Sequence, residues 1–258
     1  MKLYHNALST CSQKVRLVLA EKHLTFESIL MDLQTGDQFS AEYRKINPKA
    51  VVPSLEDQGR VYIESSLINE YLDDAYPQVS LKPTTAAARF RMRALIRKID
   101  DTQHPACSVI TYAIGLRPAM LKKGPEALET LLNEIPDPVR RENRRAVMKD
   151  GIKTPVFTHA LQEYMHVLQE VEDMLTGSGW ITGPMFSLAD CAVLPYVLRL
   201  DHLGQNALIA ETLPNIARWY KAVQARPSFK TAVTDWLPPL DGFLAAGREL
   251  APEVRALI

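Results

Sequence analysis

Net charge is what this sequence has least of, since 30 basic and 30 acidic side chains leave a formal charge of zero at pH 7. That balance removes the electrostatic case for a nucleic-acid or anionic-membrane partner, which rests on concentrated positive charge. Long apolar runs are missing too. None approaches the roughly 20 residues that span a bilayer. The opening Met1-Lys2-Leu3-Tyr4 lacks the apolar segment of a secretory signal, so a cytoplasmic protein is expected. Cysteine is scarce: Cys11, Cys107 and Cys191 stand far apart, with no second cysteine at metal-ligand spacing. This argues against both a disulfide framework and a zinc site. Repeats and low-complexity tracts are absent. What is present is apolar bulk, 47% of 258 residues, enough for a sizeable core and slightly more than one domain needs, so a small and a larger domain are expected.

The chain is organised around Lys45 to Asp74. Val51 and Val52 lead into Pro53 and a short apolar run; Asp57, Gln58 and Gly59 then turn the chain back as Val61-Tyr62-Ile63, a hairpin. Glu64-Ser65 follows directly, and Leu67, Ile68, Tyr71 and Leu72 recur at helical spacing. A proline at the mouth of a strand belongs on a sheet edge or in a cis turn. The expectation is therefore an open edge exposing the amide and carbonyl of Val52, beside helix N-terminal amides that favour a carboxylate and a serine cap. Such groups suit a small peptide carrying its own carboxylate. Taken singly, Pro53 only ends a loop and Ser65 only caps a helix.

Ahead of this stretch, Leu3 to His5 reads as a strand. Ser9 to Ser12 lead into a helix with Val15, Leu17, Val18 and Leu19 in the core, Phe26 to Leu30 form a second strand, and Ala41 to Lys45 a short helix. The order is βαβαββα, with the first two strands parallel and the last two antiparallel. Ser9, Thr10, Cys11 and Ser12 meet unpaired amides and the positive end of a helix dipole, which stabilises a thiolate. Two chemistries are open: Ser9 donating to the sulfur of a bound thiol, or Cys11 acting as the nucleophile itself. Plain helix capping is the ordinary alternative.

Together these stretches resemble the glutathione-binding, thioredoxin-like domain of the cytosolic glutathione S-transferase superfamily. Ser9-Thr10-Cys11-Ser12-Gln13-Lys14-Val15-Arg16 resembles the Ser-Ser-Cys motif of the zeta class, in which the first serine holds the catalytic place. The resemblance implies that Gln38 holds the glycine carboxylate of glutathione, that Val52 and a cis-Pro53 clamp the cysteinyl unit, and that Glu64 and Ser65 hold the γ-glutamyl end. Cys11 falls near the cysteine of beta-class and omega-like members, which favour thiol transfer. Ala50 and Val51 depart from the basic or amide residues usual before the Val-Pro, with Lys49 a substitute, and Thr10 replaces the second serine.

Asp74 to Pro77 stops the third helix, so the expected domains are residues 1–78 and an all-helical 86–258. Thr85 to Asp101 reads as a long basic helix that kinks or breaks near His104-Pro105, and Leu161, Tyr164, Met165, Leu168, Val171 and Leu175 stripe another. Ser187 and Asp190 approximate a capping box opening an apolar helix; with Leu213 to Phe229 they resemble the family's buried and late helices. The segment from about 105 to 155, cut by Gly124-Pro125, Pro136, Asp137-Pro138 and Gly151, is longer than zeta-class members carry. Its basic helix, with Arg140, Arg141, Arg144 and Arg145, is either a solvated face or part of a substrate pocket. Similar insertions occur in bacterial glutathione-dependent beta-etherases. His104, Tyr112, Met120 and Trp180 either line an apolar pocket facing Ser9 or, as each one singly favours, serve ordinary packing, and none is named as a substrate contact.

The resemblance implies a homodimeric glutathione transferase needing no metal. Glutathione is its co-substrate, bound on the first domain, and a small apolar electrophile lies in the cleft beside the second. Alternatives are beta-aryl-ether cleavage, a maleylacetoacetate-type isomerase, a Cys11-dependent thiol transferase, or a non-catalytic glutathione binder.

Overall fold

The computed structural model describes residues 1–258. Two compact units emerge by contact: Met1–Arg97 with Met174–Pro195 and Arg218–Pro238, and Lys98–Asp173 with Tyr196–Ala217 and Pro239–Ile258.

In the first unit the strands β1 (Lys2–His5), β2 (Glu27–Leu30), β3 (Ser54–Asp57) and β4 (Arg60–Ile63) form one sheet in the order β2-β1-β3-β4. β1 and β2 are parallel, while β3 runs antiparallel to both β1 and β4. The βαβαββα order holds, with helices α1 (Thr10–Glu21), α2 (Ala41–Ile46) and α3 (Ser65–Ala75) in the expected places. Alternation along β1 places Leu3 and His5 in full burial, whereas Tyr4 points the other way and packs on a cluster with Met31, Tyr43 and Val52. Val15, Leu17, Val18 and Leu19 of α1 are fully buried, and α1 packs on α3. Gln58 and Gly59, both at positive φ, make the two-residue hairpin turn whose twist matches the strands. Asp57, just before that turn, accepts from the hydroxyls of Tyr71 at 2.8 Å and Tyr76 at 2.7 Å, tying the hairpin to α3 and its exit.

Later segments lock onto this unit. Arg226 grips Glu21 of α1 bidentately at 2.7 and 2.6 Å, its guanidinium lying over Phe186. The Asp190 carboxylate accepts the amides of Ser187 (2.8 Å) and Ile181 (3.1 Å), the Ser187 hydroxyl (2.9 Å) and the Trp219 indole (2.8 Å). The capping box read from Ser187 and Asp190 is therefore present, and Asp190 does more than cap.

The helix α4 (Ala86–Lys98) continues as π turns over Ile99–Gln103 into α5 (His104–Thr111), then again as π turns over Tyr112–Leu116 into α6 (Arg117–Leu121). Each widened stretch ends just before a proline, Pro105 or Pro118. A proline ring collides with the carbonyl four residues back and leaves it without an amide, and a wider turn relieves both. The helix expected to kink or break near His104-Pro105 thus runs on through a bulge. In the second unit there follow α7 (Pro125–Asn133), α8 (Pro138–Asp150) and α9 (Pro155–Met174), whose Leu161, Tyr164, Leu168 and Val171 are fully buried while Met165 is half-buried. Glu172 accepts the first amides of α12 (Pro214–Gln224) from Asn215 and Ile216, both at 2.8 Å, after α10 (Leu188–His202) and α11 (Ala207–Thr212). α13 (Pro227–Ala232) belongs to the first unit, and α14 (Asp241–Arg255) to the second. Gly247 of α14 is required, because a Cβ there would sit 1.6 Å from the Leu203 carbonyl oxygen.

Candidate active site

Strand register decides where the candidate residues meet. Ser54 pairs with Tyr4 on one side and with Ile63 on the other, so the C-terminal ends of β1 and β4 and the N-terminal end of β3 coincide. β2 ends level with β1 because the two are parallel. The loop from Asn6 to Ser9, the Val52-Pro53 turn, Glu64-Ser65 and the loop carrying Gln38 therefore leave the same end of the sheet. The N-termini of α1 and α3 stand there side by side, with Lys14 Nζ 3.5 Å from Ser66 Oγ and the Asn69 amide 3.5 Å from the Lys14 carbonyl.

Ser9 is the N-cap of α1, and its Oγ accepts the Ser12 amide at 3.3 Å. Accepting uses a lone pair, so the single O–H hydrogen still has a donor's role. Cys11, half-buried in the first helical turn, is one of three cysteines, none of them in a disulfide. Both chemistries read from the motif therefore start from groups at one helix tip.

The Val52-Pro53 bond is cis, as the resemblance implies. The expected open edge is absent, however: β3 is an interior strand, the edges are β2 and β4, and the Val52 residue is buried. The ladder begins at the Tyr4–Ser54 pair, so the Val52 peptide groups lie beyond it in the turn. That turn is pinned by Tyr43, whose hydroxyl donates to the Val51 carbonyl at 2.8 Å and lies 2.9 Å from Ser54 Oγ, and by the Asn47 amide, 2.9 Å from the same carbonyl. Burial pushes the Tyr43 phenol up to about 12, keeping it a donor.

Glu64 sits at φ 70° immediately before α3, a conformation costly for a residue with a Cβ, and Ser65 is the first, buried residue of that helix. The first amides of α3 lack intrahelical acceptors and point out of the same end. Lys49, expected to face a ligand carboxylate, instead pairs with Glu64 at 2.6 Å, both side chains about half exposed. Gln38 is buried in a turn over Asp37–Phe39; its Nε2 reaches the Leu33 carbonyl at 3.4 Å and its Oε1 has no partner.

Two supports escaped the motif reading. Asn6 Oδ1 accepts the amides of Leu8 (3.0 Å) and Ser9 (3.1 Å), an Asx turn that shapes the approach to Ser9. Arg16, fully buried one turn further into α1, donates to the carbonyls of Asn6 (3.0 Å), Ala7 (2.9 Å) and Ala232 (2.7 Å) and to His5 Nδ1 (3.0 Å). Because a guanidinium only donates, His5 Nδ1 must accept, which leaves Nε2–H to donate to Ser28 Oγ at 2.7 Å. Burial, reinforced by Arg16, depresses His5 to about 4; burial alone brings Arg16 down to about 9. An asparagine three residues ahead of a helix cap was a readable signal for the first support. Nothing local marked Arg16, since its partners are carbonyls.

Residues 3–80 match the glutathione S-transferase N-terminal domain and residues 141–222 the glutathione S-transferase C-terminal domain, together more than half of the chain. The chain belongs to the glutathione S-transferase family. Among curated relatives, Protein LigF of Sphingobium sp. (strain NBRC 103272 / SYK-6) is 28% identical over 89% of this chain and 91% of its own. Glutathione S-transferase Z2 of Arabidopsis thaliana is also 28% identical, over 92% of each. The crystal structure of beta-etherase LigF from Sphingobium sp. strain SYK-6 superposes with a TM-score of 0.80 at 27% identity, covering 90% of this chain and 98% of that one. Membership of the glutathione S-transferase family fixes glutathione as co-substrate and transfer as the class of reaction. No helix is long and apolar enough to cross a membrane, and no group of histidine, cysteine and acidic side chains is placed to hold a metal.

Proposed function

We propose that this glutathione transferase binds glutathione across the shared end of its sheet and that Ser9 activates the thiol. The observation that carries the reading is the convergence, by strand register, of the α1 tip, the cis turn at Val52-Pro53 and the Glu64-Ser65 helix start. Val52, in that turn, presents peptide groups to the cysteinyl unit. Ser65 and the α3 amides, with Glu64, receive the α-carboxylate and α-amino group of the γ-glutamyl end, while Gln38 lies toward the glycine carboxylate. Ser9 donates its hydroxyl hydrogen to the sulfur anion, and the α1 dipole adds to that stabilisation. The thiolate then attacks an electrophilic carbon of a small apolar co-substrate, and the leaving group departs with the bond electrons. Titrating the absorbance of the bound thiolate tests this: wild type should lower the glutathione pKa, and Ser9→Ala should return it to that of glutathione in solution. An unchanged thiolate titration in Ser9→Ala would sink the assignment.

The likeness to LigF supports a more specific second reading, cleavage of a beta-aryl ether, in which the C–S bond forms as the C–O bond breaks and a phenolate leaves. Phenol release from a model aryl ether, compared with halide release from an aryl halide, separates the two. The proposed assembly is a cytoplasmic homodimer. An exposed face of α4, where Ala86, Arg89, Phe90, Arg93 and Ala94 line an open groove of about 440 Å³, supports the pairing.

A further inference from the structure

Three buried side chains, Tyr43, Asn47 and Ser54, meet behind the turn that leads into β3. The Tyr43 hydroxyl donates to the Val51 carbonyl at 2.8 Å and the Asn47 amide donates to the same oxygen at 2.9 Å, so both of its lone pairs are engaged. A phenol carries one hydrogen. With that hydrogen on Val51, the 2.9 Å contact between Tyr43 and Ser54 must run from the Ser54 hydroxyl to the Tyr43 oxygen, and Ser54 Oγ is left to accept from Asn47 Nδ2 at 3.4 Å. The donors therefore point one way: Asn47 to Ser54, Ser54 to Tyr43, and Tyr43 to Val51.

At the end of that series stands the Val52 N–H. The Val51 carbonyl and the Val52 N–H belong to one planar trans peptide, so they point in opposite directions, and fixing the oxygen fixes the hydrogen. Val52 is buried, its side chain in the cluster with Met31 and Tyr43, yet its N–H donates to no group of the chain. A buried amide without an acceptor is rare and calls for one from outside the chain. The approach is also strained, since Ala50 sits at φ 51°, a left-handed conformation costly for a residue with a Cβ. Asn47 holds it there: its carbonyl accepts the Ala50 amide at 2.9 Å and its Oδ1 the Lys49 amide at 3.1 Å.

We propose that Tyr43 is a positioning residue for glutathione: with Asn47 and Ser54 it aims the Val52 N–H at the carbonyl oxygen of the cysteinyl unit and strengthens that bond by polarising the shared peptide. The inference rests on the reading of this end of the sheet as the glutathione site. Electron density drawn toward the Val51 oxygen leaves the Val52 hydrogen more positive, because hydrogen bonds in series polarise one another. The relay acts on how tightly, and in which orientation, the peptide backbone of glutathione is held, whereas Ser9 acts on its sulfur.

The test is calorimetric binding of two ligands. One is S-methylglutathione, whose sulfur carries no proton for Ser9 to influence; the other is its alkene isostere, in which a carbon–carbon double bond replaces the cysteinyl–glycyl amide and removes the carbonyl. Wild type, Tyr43→Phe, Ser54→Ala and, as a control at the opposite end of the sheet, Tyr71→Phe are compared. Tyr43→Phe should weaken S-methylglutathione by roughly threefold to tenfold, the usual loss for one neutral hydrogen bond, and leave the isostere within about twofold. Ser54→Ala should give a smaller loss confined to S-methylglutathione. Tyr71→Phe, which loses a phenol hydroxyl bonded to Asp57, should change neither ligand. A role limited to holding the turn would weaken both ligands alike, so equal losses on the two, or none on either, overturn the proposal. Should Tyr43→Phe fail to fold, Ser54→Ala carries the comparison. A wild type that binds S-methylglutathione no more tightly than the isostere removes the Val52 bond, and the relay falls while the glutathione reading stands. Binding of neither ligand by folded wild type refutes the glutathione reading and the relay with it.

Discussion

At the scale of single residues, the choice between Ser9 and Cys11 is a choice between two reactions. Ser9 caps α1 through an oxygen lone pair and keeps a hydrogen to donate, whereas Cys11 would have to surrender a proton and attack. Ser9→Ala should reduce kcat by about a hundredfold to a thousandfold, the range found when one donor to a developing anion is removed, with glutathione affinity changed by only a few fold. Cys11→Ala should leave conjugation near wild type. The opposite pattern, measured with an aryl halide, would make the protein a thiol transferase. Arg16 acts one layer further in. Its loss in Arg16→Met strands the Asn6, Ala7 and Ala232 carbonyls, and each unsatisfied buried group costs about 1–3 kcal/mol. Chemical denaturation should therefore show a loss of about 3 kcal/mol or more, and the activity that remains should fall through kcat, because the freed loop is the one that delivers Ser9.

At the scale of elements, helix α10 hangs from one carboxylate. Asp190 collects four donors from Ile181, Ser187 and Trp219, all within 3.1 Å, in full burial. Asp190→Ala leaves those donors without an acceptor and should cost about 3–5 kcal/mol by urea titration; a shift below 1 kcal/mol would mean that water replaces the carboxylate. This element also shows what the sequence made legible. The Ser187–Asp190 spacing is a local signal, complete within four residues, and so are the apolar stripe of α9, the Gln58-Gly59 turn and the pairing of Glu64 with Ser65. The Trp219 contact is invisible from Asp190, because it joins residues 29 apart. A wider gap in sequence, from Tyr4 to its partner Ser54, hid the interior position of β3: a proline ahead of a strand reads as an edge, and only the pairing of β3 with both β1 and β4 shows otherwise. The arginines of α8 were legible as a cluster but not as two populations, since what separates Arg144 from Arg145 is Tyr112 beneath one and Glu129 beside the other.

At the scale of the whole molecule, the proposed dimer and the pH range of stability are both decided by groups spread along the chain. Phe90 is 74% exposed on α4. If a second copy covers it, Phe90→Glu should yield a monomer by light scattering with its secondary structure intact, and a wild type that is already monomeric would refute the pairing. The pH range follows from two histidines held neutral. His5 is depressed to about 4 by burial and by Arg16, and His202 to about 3 by burial and by Arg199. In the unfolded chain both return to about 6.5, so the unfolded state binds protons that the folded state refuses. Their contribution is complete above about pH 6.5 and is lost as pH falls toward the folded values, each taking away about 2 kcal/mol between about pH 7 and pH 5. Carboxylates held at low pKa by arginine, such as Glu70 beside Arg93, titrate lower and leave this window to the histidines. Urea unfolding at both ends of the window should show stability falling with pH. In His202→Leu, which keeps the volume and removes the titrating ring, about half of that fall should vanish; an undiminished fall would place the pH sensitivity elsewhere.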